Sequence, residues 1–137
     1  HTRFKCDWSS DVCSSDLPMR RGGVELFVGV RRDEQWGHVM ALGLGGVWIE
    51  ALKDVSLRVL PVSPAEVRRM VTELRGASLL DGFRGATPVN LDELARMVSR
   101  IGDAALALGD TLDTLEVNPL LAEGDRIEAL DALATYR

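Results

Sequence analysis

The sequence predicts an α+β domain, a mostly antiparallel sheet packed with two helices. Three observations carry that expectation. Val24 to Val30 (VELFVGV) alternates with period two and is rich in β-branched residues, the signature of a half-buried strand. Two helix starts are written out: Ser63-Pro64-Ala65-Glu66, and Asn90 followed three residues on by Glu93. The order, four strands, two helices and two strands, suits an antiparallel sheet with its helices on one side.

The elements follow in turn. The first strand places Val24, Leu26, Val28 and Val30 on one face. The polar stretch Arg31 to Gln35 makes a turn, and a second strand from about His38 to Leu42 completes a hairpin. After Gly43-Leu44-Gly45-Gly46 come a third strand, Val47 to Lys53, and a short fourth, Val55 to Leu60. Ser63 is the N-cap of the first helix, with Pro64 in its first turn and Glu66 closing a capping box. Its apolar stripe is Val67, Met70, Val71 and Leu74. Gly76 to Pro88 reads as a loop. The second helix carries Leu94, Met97, Val98, Ile101, Ala105 and Leu108, and Gly109 closes it. Strands then fall near Thr114 to Val117 and Arg126 to Leu133, with a turn at Glu123-Gly124-Asp125. Trp36 and Trp48 read as packing residues, His38 as a surface strand residue, and Arg68-Arg69 as a solvated helix face.

The chain of 137 residues carries 16 Lys+Arg and 21 Asp+Glu, a net charge of −5. A mildly acidic balance of scattered signs argues against nucleic acid or a membrane surface as partner. No apolar run approaches the roughly 20 residues that span a bilayer, and a cytoplasmic location is expected. Cys6 and Cys13, the only cysteines, fit no zinc spacing, and no apolar signal segment precedes the first strand. Asp7 to Leu17 agrees at all eleven residues with one reading frame of a common sequencing adapter. Residues 1–17 are therefore expected to be a non-native, disordered tail on a domain of residues 18–137 that is cut from something longer.

One stretch has the composition of a site. In Leu115-Glu116-Val117-Asn118-Pro119-Leu120, alternation puts Glu116 and Asn118 on the same strand face. A carboxylate beside an amide oxygen suits Mg²⁺, and Asp131 follows in the next apolar run. Pro119 removes a ladder donor and is expected to stop the strand. On spacing alone, a hard-cation site and a solvated sheet face both fit. Gly43-Leu44-Gly45-Gly46 fits either a close backbone approach to a ligand or a tight turn, and lacks the features of a phosphate loop.

Taken together, Gly23 to Val30, Gly43 to Val55, Leu115 to Leu120 and Asp131 occur in an order that resembles the ATP-grasp domain of the nucleoside-diphosphate-forming acyl-CoA synthetases, relatives of the succinyl-CoA synthetase β subunit. The resemblance runs from about Gly22 to the C-terminus and implies the C-terminal half of an ATP-grasp domain. It implies that Glu25 contacts the nucleotide, that Asn118 and Asp131 hold Mg²⁺, and that Glu116 faces a phosphohistidine docked from another domain. Nothing in the family gives that histidine's role to His38.

The resemblance further implies an acid–CoA ligase: carboxylic acid, CoA and ATP yield acyl-CoA, ADP and phosphate through an acyl phosphate and a phosphohistidine. The lysine-bearing half of the clamp, the phosphohistidine domain and the CoA-binding domain are not in this sequence, so the chain alone is expected to be inactive. The same domain also occurs fused to an acetyltransferase domain in protein-lysine acetylation enzymes, which implies an alternative, regulatory role. The sequence beyond Arg137 distinguishes the two.

Overall fold

The computed structural model describes residues 2–4, 6–7, 12–13, 23–45, 54–82 and 85–137. The expected strand Val47 to Lys53, and Trp48 within it, lie outside the described residues. Strands β1 (Thr2–Phe4), β2 (Cys6–Asp7) and β3 (Val12–Cys13) precede β4 (Val24–Asp33), β5 (Gly37–Leu44) and β6 (Val55–Val59). Helices α1 (Pro64–Glu73) and α2 (Leu91–Leu108) follow, separated by a 3₁₀ turn (Ala77–Asp81) inside the expected loop. Strands β7 (Leu112–Glu123), β8 (Arg126–Ala129) and β9 (Ala132–Tyr136) end the chain.

All pairings are antiparallel. One sheet runs β1–β9–β7–β4–β5–β6, with β8 also on β7, and β2 pairs with β3 apart from it. At one end of the sheet Thr2, Arg3 and Phe4 pair with Ala134, Leu133 and Ala132. The physical reason is the edge: β9 offers a row of unpaired backbone groups that an extended segment can satisfy.

Alternation decides which face is covered. Leu26, Val28 and Val30 of β4, Met40 and Leu42 of β5, and Leu115 and Val117 of β7 form one buried core with Val67, Met70, Leu94, Val98 and Ile101 of the helices. The positions between them, Glu25, Phe27, Arg31, Val39, Leu57, Glu116 and Asn118, are exposed or half-buried, so the second face of the sheet is open along β4 and β5, whereas Leu121 and Glu128 on that face are buried. The helix stripes pack as their spacing requires, except that Leu108 is exposed in the last turn.

Three local expectations change. Ser63 Oγ accepts from the Glu66 N–H at 3.2 Å, but the Glu66 carboxylate pairs with Arg58 and Arg69 rather than closing a capping box. Trp36 stands at the tip of the β4–β5 hairpin, 62% exposed, because β4 continues through Asp33 and carries the turn clear of the core. His38 is buried, its Nε2 3.3 Å from the Leu112 carbonyl oxygen, since β5 reaches under the start of β7. Arg68 and Arg69 are exposed, as expected of a solvated helix face, and Arg68 also bridges to Asp92, joining α1 to α2.

Candidate functional site on the open sheet face

Strand β7 does not stop at Pro119. Its ladder with β4 shifts register there, with Val28 opposite Val117 and Leu26 opposite Leu120, so Asn118 and Pro119 form a bulge. Proline removes a donor but keeps its carbonyl: Leu130 N–H donates to the Pro119 oxygen and Asn118 N–H donates to the Asp131 oxygen, each at 3.0 Å. This splits the expected strand Arg126 to Leu133 into β8 and β9, which both lie on the same side of β7.

The bulge brings Asn118 level with Asp131, which lies in the two-residue link between β8 and β9. Val117 and Ala132, their paired neighbours, are buried in the core, so alternation along β7 turns Asn118 toward the open face, with Asp131 beside it in the link that leads into β9. Asn118 is exposed and Asp131 half-buried. Glu116 lies on the same face, exposed, opposite Gly29 of β4 and Leu133 of β9. Glu25 is exposed on β4 opposite Leu121, and its carbonyl accepts from Gly45 N–H. A Cβ at Gly45 would stand 3.1 Å from the Glu25 carbonyl carbon, a tight contact that favours glycine here.

The four residues singled out in the sequence therefore lie on one face, in file. Glu25 comes first, the Asn118–Asp131 pair next, and Glu116 after it. Each step is two residues along the strand, about 7 Å. Among the described residues no group of three or more His, Cys, Asp or Glu side chains is placed to hold a metal ion by itself.

A cleft of about 950 Å³ opens on this face at the Glu116 end, over Phe27, Gly29, Val39 and Leu57. The Phe27 ring lies across Gly29, where a Cβ would stand 2.6 Å from its Cζ.

The ATP-grasp domain family matches residues 17–135. The chain belongs to the ATP-grasp family. Its relatives include the β subunit of the ADP-forming acetate–CoA ligase I of Pyrococcus furiosus, 39% identical over 116 residues that cover 85% of this chain and 48% of that subunit. A trans-feruloyl-CoA synthase from an unknown prokaryotic organism is 38% identical over 117 residues, 84% of this chain and 16% of that protein. Among solved structures, the fold is similar to the dinucleotide forming acetyl-coenzyme A synthetase 1 of Ca. Korarchaeum cryptofilum, with a TM-score of 0.81 and 34% identity over 87% of this chain and 55% of that one. That protein was solved in complex with coenzyme A and Mg-AMPPCP, its phosphohistidine segment pointing towards the nucleotide-binding site. The present chain spans about half the length of the Pyrococcus subunit.

Three groups on this second face of the ATP-grasp chain escaped the sequence reading. Glu128 is buried in register with Leu121, in the row that Glu25 begins, with Arg126 Nε 3.6 Å from its carboxylate. Arg31 and Thr114 pair across β4 and β7 one step beyond Glu116. Only the long-range register exposes these neighbours. Alternation within each strand was the one available signal, and it needs the pairing to become a site.

Proposed function

We propose that this chain supplies the Mg·ATP-facing part of an ADP-forming acyl-CoA synthetase, within a protein that converts a carboxylic acid, CoA and ATP to acyl-CoA, ADP and phosphate. The observation that carries the reading is the file Glu25, Asn118 with Asp131, then Glu116 on one uncovered sheet face. The ligase relatives and the Mg-AMPPCP complex of the similar structure support it. Among the described residues no helix is long and apolar enough to cross a membrane, and we place the enzyme in the cytoplasm.

Glu25 contacts the nucleotide. The donors level with each other at the bulge fit Mg²⁺: an amide oxygen of Asn118 and a carboxylate of Asp131 are hard ligands, and Mg²⁺ usually takes only one or two protein oxygens besides phosphates and water. Bound there, the ion would neutralise charge on the β- and γ-phosphates. Glu116 receives the ring N–H of a histidine brought by a partner domain or subunit, keeping the other ring nitrogen free to attack. That nitrogen bonds to the γ-phosphorus as the bond to the β-phosphate oxygen breaks, and its electron pair departs with ADP. The charge left on the imidazolium faces the Glu116 carboxylate. CoA and the acyl group bind on other domains.

The test uses a hybrid in which residues 22–137 replace the matching half of the Pyrococcus β subunit, assembled with that enzyme's other subunit. Radiolabelled phosphoenzyme formation and Mg·ATP calorimetry are compared. Asn118→Ala and Asp131→Ala should weaken both, whereas Glu116→Gln should impair phosphorylation more than nucleotide binding. Full phosphoenzyme formation in all three variants would reduce this strand pair to scaffold.

A further inference from the structure

Arg31 is a cation on the open face that the proposed chemistry has not used. It pairs with Thr114 of β7 one step beyond the Gly29–Glu116 pair, and Arg31 and Glu116 line the same cleft. Its side chain is exposed, and among the described residues it makes no side-chain hydrogen bond or ion pair, a freedom it shares with Arg32, Arg75 and Arg100 but not with Arg58, Arg68, Arg69 and Arg96, each bound to a carboxylate. Alternation along β4 puts Arg31, and not its neighbour Arg32, on the face of Gly29 and Glu116. Asp33, the acid nearest in sequence, is occupied in the hairpin turn, its Oδ1 accepting from the N–H groups of Gln35 and Trp36 at 2.8 and 2.9 Å. Glu34 and Asp113 also line the cleft without pairing to Arg31.

We propose that Arg31 is a further catalytic residue, binding the phosphoryl group carried by the histidine that Glu116 orients. The inference rests on the reading of Glu116 above and adds what that reading lacks. A carboxylate suits the imidazole but repels the phosphoryl oxygens that arrive on it, so a cation on the outer side of the ring must offset that repulsion. An arginine fork matches a phosphoryl group with two parallel N–H donors, and a free guanidinium loses no existing partner when it binds. Position agrees with chemistry. The order along β4 and β7 becomes nucleotide contact, metal ligands, histidine contact, phosphoryl contact, with Arg31 about 7 Å beyond Glu116. The cleft spreads from Glu116 toward the β4–β5 hairpin, away from Glu25. A phosphohistidine segment entering from the hairpin end therefore meets Arg31 before Glu116. In the similar synthetase such a segment does point towards the nucleotide site.

The experiment uses the hybrid holoenzyme and reads single-turnover phosphoryl transfer from Mg·ATP to the histidine, beside Mg·ATP affinity and thermal midpoint. Arg31→Ala should slow transfer by about tenfold to a hundredfold, the scale for losing one charge-stabilising donor. Nucleotide affinity and midpoint should stay unchanged. Arg31→Lys should recover part of the rate, since it restores charge without the fork, whereas Arg31→Gln should recover none. Arg100→Ala, on the exposed side of α2, is the control. If Glu116→Gln slows transfer and Arg31→Ala does not, the phosphoryl assignment fails and the Glu116 reading stands. If neither slows it, both fail. Equal losses of transfer, nucleotide affinity and midpoint in Arg31→Ala would make Arg31 structural and overturn the proposal.

Discussion

Asp54 gives the fold a carboxylate whose removal has a calculable effect. It is buried just before β6, and its two oxygens accept the N–H groups of Arg75 and Gly76, at 2.7 and 2.9 Å, where the chain leaves α1. These bonds fasten the end of α1 to the start of β6 across 21 residues of sequence. Hydrogen bonds to a charged acceptor contribute about 1.5–3 kcal/mol each. Arg75 is exposed and Gly76 half-buried, so water can reach the freed N–H groups and offset roughly half of the loss. Asp54→Ala should therefore destabilise by about 2–3 kcal/mol, lowering the midpoint by on the order of 10 °C for a domain of this size. Asp54→Asn keeps one acceptor but turns an NH₂ toward the second donor, so it should recover only part of that loss. Urea unfolding at neutral pH with a common m-value measures both. A loss below about 0.5 kcal/mol for the alanine variant would refute the claim that this carboxylate anchors the helix end.

Two further outcomes follow from the same fold. Hydrogen bonds from Arg58 hold the Glu66 and Glu73 carboxyls below their ordinary value of 4.5, with Arg69 adding to the first and Ser56 to the second. Their contribution is complete above pH 4.5 and fades as the pH falls through the depressed folded values. Arg58→Gln should flatten the fall in stability over that acid range in a pH series of thermal melts, and an unchanged slope would contradict the linkage. Removal of residues 1–17 should leave the midpoint within about 2 °C, because β1 adds only three residue pairs to one sheet edge. A loss of more than about 5 °C would make the tail part of the fold.

Local signals and long-range pairing divide what could be read in advance. Strand β4 declared itself by alternation, α1 by Ser63 and Pro64, and α2 by Asn90, whose Oδ1 accepts from the N–H groups of Asp92 and Glu93. Those residues act within a few positions of themselves. The shared face of Glu116 and Asn118 was equally legible, since one strand decides it. The passage of β7 through Pro119 was not, because it depends on Leu130 supplying a donor from the link between β8 and β9. His38 misled for a related reason: nothing near it in sequence shows that Leu112 will cover it. Trp36 was assigned to the core on residue type, and the length of β4 overruled that. Arg31 passed as turn polarity until the register set it beside Glu116 and Thr114.

The central claim is that the open face between Glu25 and Glu116 receives a divalent metal and nucleotide. Mn²⁺·ADP titrated into the ¹⁵N-labelled chain tests it directly, since paramagnetic broadening reports proximity even when affinity is weak. The account predicts that the amide signals of Asn118 and Asp131 broaden first, with Glu116 and Gly29 next. Arg96 and Arg100 on the solvent side of α2 should remain sharp. Broadening centred on the helices, or spread evenly over the chain, would contradict the assignment of this face as the Mg·ATP site.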